Sequence, residues 1–153
     1  MSRPPLTPAM RSHVSQYNES HRTPVNRALH FIGIPLFVVA TLGLFSKLTW
    51  SDSEGPATLQ PNAGWIALAT ACAVSLWWDW RTGLLATVVY AAGYVLGCAL
   101  SGGVLWALAG IGTVAHVVGH FGFEHKPPAL FSNPLAVLEA TPWLVALSAR
   151  WYR

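Results

Sequence analysis

Apolar positions along this chain come in long runs rather than in alternation, and short polar joints separate the runs. A helix needs about 20 apolar residues to cross a bilayer's hydrocarbon core. Four runs are predicted as spanning helices, at about 27–48, 64–78, 82–100 and 104–123. The first contains Pro35, which leaves the Phe31 carbonyl without its intrahelical donor, so a kink is expected there. The second is short and must reach into the interface through its tryptophans. The third carries Gly93 and Gly97 at a spacing that lets helices approach closely. Residues 49–63 form a polar loop rich in Ser, Gly and Pro, and Asp79-Trp80-Arg81 and Ser101-Gly102-Gly103 form turns. A fifth apolar segment, 133–149, contains Glu139 and Pro142 and is read as re-entrant or interfacial. Ahead of the spans lies a polar arm, residues 1–26. Within it Pro8–Ser20 is helix-compatible, with Met10, Val14 and Tyr17 on one face, which predicts a short helix lying on the membrane surface. The expected fold class is therefore all-α: an integral membrane helical bundle in a single domain.

Composition supports the membrane. The chain is 53% hydrophobic and 10% charged, against about 25% charged in an ordinary soluble domain. A net charge of +3, spread along the chain, argues for no nucleic-acid partner. Cys72 and Cys98 both fall inside apolar runs and are expected as reduced thiols without a disulfide. No secretory signal is expected, because the first apolar run follows the polar arm and no small-residue cleavage pattern follows it. With four spans, Arg3, Arg11, Arg22, Arg27, Arg81, Lys126, Arg150 and Arg153 share one side, and Lys47 alone takes the other. Basic residues stay on the cytoplasmic side. Both termini are therefore expected in the cytoplasm, with the protein in a bacterial inner membrane, or in the endoplasmic reticulum if the source is eukaryotic. A spanning fifth segment would export Arg150 and Arg153. Trp50, Trp65 and Trp106 would mark the outer interface, and Trp77, Trp78 and Trp80 the inner one.

The chemistry sits where polar residues interrupt this pattern. His116, His120 and Glu124 recur at steps of four, which makes one stripe on a helix that stops at Pro127-Pro128. Tyr17 and His21 are four apart, as are Asn26 and His30. A carboxamide one turn from an imidazole can accept its second N–H and fix its tautomer, as partners of metal ligands do. Depth brings His21, His30 and His120 together at the cytoplasmic interface, with His116 one turn deeper. The arrangement can hold a metal. It can equally place imidazoles against headgroups, or bond two core histidines to neighbouring helices. Glu124 can serve as a ligand, orient a histidine, or pair with Arg22, Arg27 or Lys126. His13 and His125 read as solvated, and Asp79 as paired with Arg81 or Lys126.

Taken together, Tyr17…His21…Asn26…His30-Phe31-Ile32-Gly33 and Gly119-His120-Phe121-Gly122-Phe123-Glu124…Pro128-Ala129-Leu130 resemble the fungal 2-hydroxy fatty acid dioxygenase family and its bacterial relatives. The resemblance covers most of the chain, including Thr82-Gly83-Leu84-Leu85 at the start of the third span. The fungal enzyme acts at the endoplasmic reticulum and uses Fe(II) and O2 to shorten 2-hydroxy fatty acids by one carbon, within phytosphingosine breakdown. Carried over by position, the resemblance implies His21, His30 and His120 as metal ligands and Glu124 as the family's acidic residue. His116 departs from it, since the fungal relative has Gln there, and its role is not implied. The site expected is then Fe(II) on His21, His30 and His120, with Asn26 beside them. Glu124, His116 and Tyr17 are the candidate catalytic groups, and Arg22, Arg27 and Lys126 are attractors for the carboxylate of a 2-hydroxy fatty acid. A non-haem iron needs a few N/O ligands on one side and open positions for substrate and O2.

Three other readings compete. A di-iron desaturase needs more histidines than the six present. A membrane b-type cytochrome would use His30 and His120 as axial ligands. A metal-free lipid-binding scaffold would need none of them. Oligomeric state and acyl chain length are left open by the sequence. The topology is directly testable. Reporter fusions at the C-terminus and within residues 49–63 are expected to give opposite signals, with the loop outside. A C-terminus on the loop's side would mean that the fifth segment crosses.

Overall fold

Prolines and short polar caps set where the helices begin. In the computed structural model, which describes residues 6–50, 55–128, 131 and 136–149, Thr7 opens helix α1 (Pro8–Ser20) by accepting the Met10 N–H. Thr23 opens α2 (Pro24–Ser46) by accepting the Asn26 N–H. In each, proline fills the first turn, where its missing N–H has no intrahelical role. After α3 (Ala63–Trp78), Asp79 caps α4 (Trp80–Ala99) by accepting the Arg81 and Thr82 N–H groups. Ser101 caps α5 (Gly102–Val117), which runs on into a π-helical turn, Val118–Glu124. That turn ends where His125 takes a left-handed φ of 53°. The last helix, α6, is Ala136–Ser148. Among the described residues there is no strand, and an isolated bridge between Thr49 and Asn62 closes the neck of the loop between α2 and α3.

Helix α2 is the hub, packed against α3, α4, α5, the π turn and α6. It runs unbroken through Pro35. Close approach to α4 depends on Gly43 and Gly97. A Cβ on Gly97 would stand 2.6 Å from the Gly43 Cα, closer than real atoms come. Gly97 is thus half of the small-residue pattern seen in the sequence, and its partner lies on α2. Gly93 packs against Val38 in the same seam.

The ends of the bundle are defined by contacts across helices. At one end the Thr7 N–H donates to Asp79 at 3.0 Å and the Thr7 hydroxyl donates to the Trp78 carbonyl, which docks the start of α1 on the α3–α4 turn. At the other, Lys47 Nζ donates to the Cys98 carbonyl at 2.9 Å, joining the end of α2 to the end of α4. Among the described residues, three helices are long and apolar enough to cross a membrane: Pro24–Ser46, Trp80–Ala99 and Gly102–Glu124. Their outward faces carry Ile32, Val88, Val95, Ile111 and Val114, all exposed. α3, at 16 residues, is shorter. Cys72 and Cys98 are free thiols, as expected.

Two small elements differ from the pattern read in the sequence. The apolar face of α1 does not lie open to a membrane surface. Met10, Val14 and Tyr17 are buried with Trp143, Leu144, Ala146 and Leu147 of α6. α6 itself, read as re-entrant or interfacial, is buried on several sides, with Val145 packed among Leu42, Ala71, Ala86 and Tyr90. Asp79 is fully buried and acts as a cap and as the acceptor for Thr7, not as a surface ion-pair partner. His13 is not solvated. Its Nδ1 lies 3.3 Å from Glu139 and its ring lies on Trp78 at 4.5 Å.

The glycine seam yields a stability prediction. Gly97→Ala should destabilise the protein by about 1–3 kcal/mol, the usual cost of overpacking. Gly110→Ala adds a Cβ with nothing within 4 Å and should be neutral or slightly stabilising. Thermal unfolding in detergent checks both. Equal midpoints for the two variants would remove the seam from the account.

Candidate metal centre

Three imidazoles from three different pieces of chain meet near one end of the bundle. His21 lies in the short joint between α1 and α2, His30 in the second turn of α2, and His120 in the π turn. They are 1%, 3% and 3% exposed. His21 stands edge to face with His30 at 4.2 Å between ring centroids and with His120 at 4.8 Å, and His30 and His120 are 5.0 Å apart. One ring nitrogen from each lies within 4.8 Å of the other two, a group that can bind a metal.

Backbone carbonyls decide which nitrogens face inward. His21 Nδ1 donates to the Tyr17 carbonyl at 2.6 Å, and His30 Nδ1 donates to the Asn26 carbonyl at 2.9 Å. A carbonyl only accepts, so Nδ1 carries the proton in each ring and Nε2 keeps its lone pair. His21 Nε2 is buried without a hydrogen-bond partner, and so is His120 Nδ1. Burial, reinforced by His120 and His116, lowers the His21 pKa to about 4 against the opposing pull of the Tyr17 carbonyl and Glu124. The ring is therefore neutral at pH 7, as a metal ligand must be. This donor set fits a divalent transition metal: three imidazoles in dry surroundings, with His21 Nε2 and His120 Nδ1 satisfied by nothing else in the protein.

The supporting partners are not those the spacing suggested. Asn26 fixes the His30 tautomer through its backbone carbonyl, not its carboxamide. The carboxamide instead donates to the Ser20 carbonyl and to Glu124 Oε1, both at 3.2 Å. Glu124 also accepts the Thr23 N–H at 2.7 Å and the Thr23 hydroxyl at 3.0 Å. A carboxylate is favourable at the N-terminus of a helix. This one ties the end of the π turn to the start of α2, and so His120 to His30. Gly119 makes the tie possible, since a Cβ there would fall 2.1 Å from Asn26 Oδ1. The His120 carbonyl accepts from both the His125 and the Lys126 N–H, which closes the turn around it.

Other predicted residues fall at the margin. Tyr17 stacks on His21 at 5.2 Å, but its hydroxyl donates to the Ala136 carbonyl on α6. Its phenol holds α1 to α6, and burial, with Glu139 second, raises its pKa. Arg27 Nε donates to the His21 carbonyl at 2.7 Å, so its guanidinium braces the joint. Arg22 and Lys126 are exposed, as is His125. His116 is half-buried, 4.5 Å from His30, and outside the three-nitrogen group. Trp143 of α6 was not singled out from the sequence. Its ring covers His21 at 4.7 Å, Tyr17 at 5.1 Å and His30 at 6.3 Å. No local signal marks it, because it reaches the site by the packing of a distant helix. Thr23 did carry a signal, the Thr-Pro start of a helix.

Removing any one of the three imidazoles should abolish stoichiometric binding of a divalent transition metal, whereas His125→Ala should keep it. Metal content of the purified variants checks this, and full occupancy in His120→Ala would contradict it.

A family model described as 2-hydroxy-palmitic acid dioxygenase Mpo1-like matches residues 8–150. No curated protein and no solved structure matches the chain significantly.

Proposed function

The chain belongs to the Mpo1-like family, and on that premise we propose that it is a membrane non-haem Fe(II) dioxygenase acting on long-chain 2-hydroxy fatty acids. The reaction cleaves the C1–C2 bond: R–CH(OH)–COOH and O2 give R–COOH, CO2 and H2O. Atoms and electrons balance without an external reductant, because O2 takes the four electrons released by the substrate. Iron, when bound, supplies the redox chemistry and the open positions at which a carboxylate, a hydroxyl and O2 can meet.

The observation that carries this reading is the group of three buried imidazoles, in which His21 Nε2 and His120 Nδ1 have no protein partner. In it, His21, His30 and His120 hold the metal. Glu124 and Asn26 keep the two helix ends in register so that the three rings stay together. Trp143 and Tyr17 wall the site and exclude water. Arg22 and Lys126, exposed near the rim, draw in the carboxylate. The tail leaves toward the apolar outer faces of α2 and α5. The cytochrome alternative is disfavoured by the edge-to-face packing of His30 and His120, with His21 against both, which leaves no slot for a macrocycle.

We place the protein as one membrane domain with four crossings, α2 to α5, and both termini in the cytoplasm. Support comes from the two ends of the bundle. Thr7, Trp78 and Asp79 meet at one, and Lys47 and Cys98 at the other, so α3 joins the two ends despite its length. The metal site is then at the cytoplasmic interface.

Anaerobic loading with Fe(II), followed by 2-hydroxypalmitate and O2, should yield the acid one carbon shorter, read by mass spectrometry. His21→Ala, His30→Ala and His120→Ala should each lose about 100-fold or more in rate, as loss of a required group typically does. His116→Gln should keep its iron and part of its activity. No shortened acid from the iron-loaded parent with any 2-hydroxy acid would overturn the assignment.

A further inference from the structure

His116 is the fourth imidazole of the cluster, and nothing in the three-nitrogen group uses it. It lies one helical turn from His120 toward the middle of the bundle, so it is deeper in the apolar stretch. Polar side chains at such depth are costly and usually serve a purpose. The Gly112 carbonyl, one turn back on α5, lies against one ring nitrogen. With that nitrogen turned to a carbonyl, which only accepts, the other is the one that can serve as an acceptor. The ring seats against α2 because Gly33 has no side chain, its would-be Cβ lying 3.3 Å from His116 Cε1. That seat sets the ring edge to face with His30 at 4.5 Å, and Phe37 follows at 6.3 Å on the far side. His21, His30 and His120 are sealed from solvent, but His116 is only half-buried. Its free acceptor is thus available to something entering beside the metal site from the apolar side.

Resting on the function proposed above, we propose that His116 is the specificity residue for the 2-hydroxyl group, accepting its O–H hydrogen bond. A 2-hydroxy acid with its carboxylate at the three-histidine centre has C2 next along the chain, and its alkyl carbons lie deeper still. His116 occupies that next position, between His30 and Phe37. The hydroxyl is the one polar group the substrate carries at that depth. An unmodified fatty acid would leave both His116 and its own C2 without this bond. A site built around a substrate hydroxyl rejects the analogue lacking it far better than an apolar pocket rejects an added group.

The test measures binding without turnover, in protein loaded with Zn(II). Dissociation constants for 2-hydroxypalmitate and palmitate are compared in the parent, His116→Gln, His116→Met and His116→Leu. The parent should prefer the hydroxy acid. His116→Gln keeps an acceptor and should keep that preference. Either apolar variant should lose about tenfold of it, the worth of one hydrogen bond, with zinc content and palmitate affinity unchanged. The parent should also bind 2-fluoropalmitate, which has no hydrogen to donate, about tenfold more weakly than the hydroxy acid, a comparison that does not depend on any variant folding. An apolar variant that retains zinc and the full preference would overturn the role of His116 alone. A parent with no preference for the hydroxy acid would overturn the 2-hydroxy substrate itself, and this proposal with it.

Discussion

Imidazole nitrogens enclosed together without protein hydrogen-bond partners are the constraint on which this structure turns. The Tyr17 and Asn26 carbonyls each hold one imidazole N–H, so His21 and His30 offer only acceptors to their common centre. Adding His120 brings a third ring into the same dry space. His21 Nε2 and His120 Nδ1 have no protein partner, and each buried polar atom left unpaired costs about 1–3 kcal/mol. A cation bound among the rings would satisfy both. The three rings can therefore bind a metal, on the chain's own geometry.

The rest of the fold serves to hold those rings in place. One comes from a joint, one from a helix and one from a π-helical turn, and none of these elements is adjacent to all the others in sequence. Glu124 fastens the π turn to the start of α2. Thr7 and Asp79 fasten the start of α1 to the α3–α4 turn. Tyr17 and Trp143 fasten α1 to α6 and cover the site from that side. Below the site, the Gly43–Gly97 contact lets α2 and α4 touch backbone to backbone. Apart from Trp143, which is mid-helix, these ties lie near a helix end or at a glycine, where the backbone has groups or space to spare.

Much of this was legible in the sequence, for physical reasons that also mark the limit. Helical period placed His116, His120 and Glu124 on one stripe, and hydropathy with basic-residue asymmetry set His21, His30 and His120 at one depth. Both signals are local, and the three histidines do meet. What escaped was non-local or conformational. Asn26 spacing suggested a side-chain contact to His30, yet in a helix the carbonyl four residues back is nearer to hand. The π turn has no residue signature of its own. Trp143 and the His13–Glu139 pair depend on where α6 docks, and an apolar 13-residue helix fits a protein interior as well as a membrane interface. Glu124 was singled out, but the Thr23 and Asn26 donors that claim it appear only once α2 and the π turn are side by side.

The central claim is that one metal sits among His21, His30 and His120. X-ray absorption at the iron edge of the anaerobically loaded protein tests it most directly. The account predicts a nitrogen and oxygen shell with outer scattering from three imidazole rings, no sulfur ligand and no neighbouring iron. A porphyrin pattern, an iron–iron distance or the absence of imidazole scattering would contradict it.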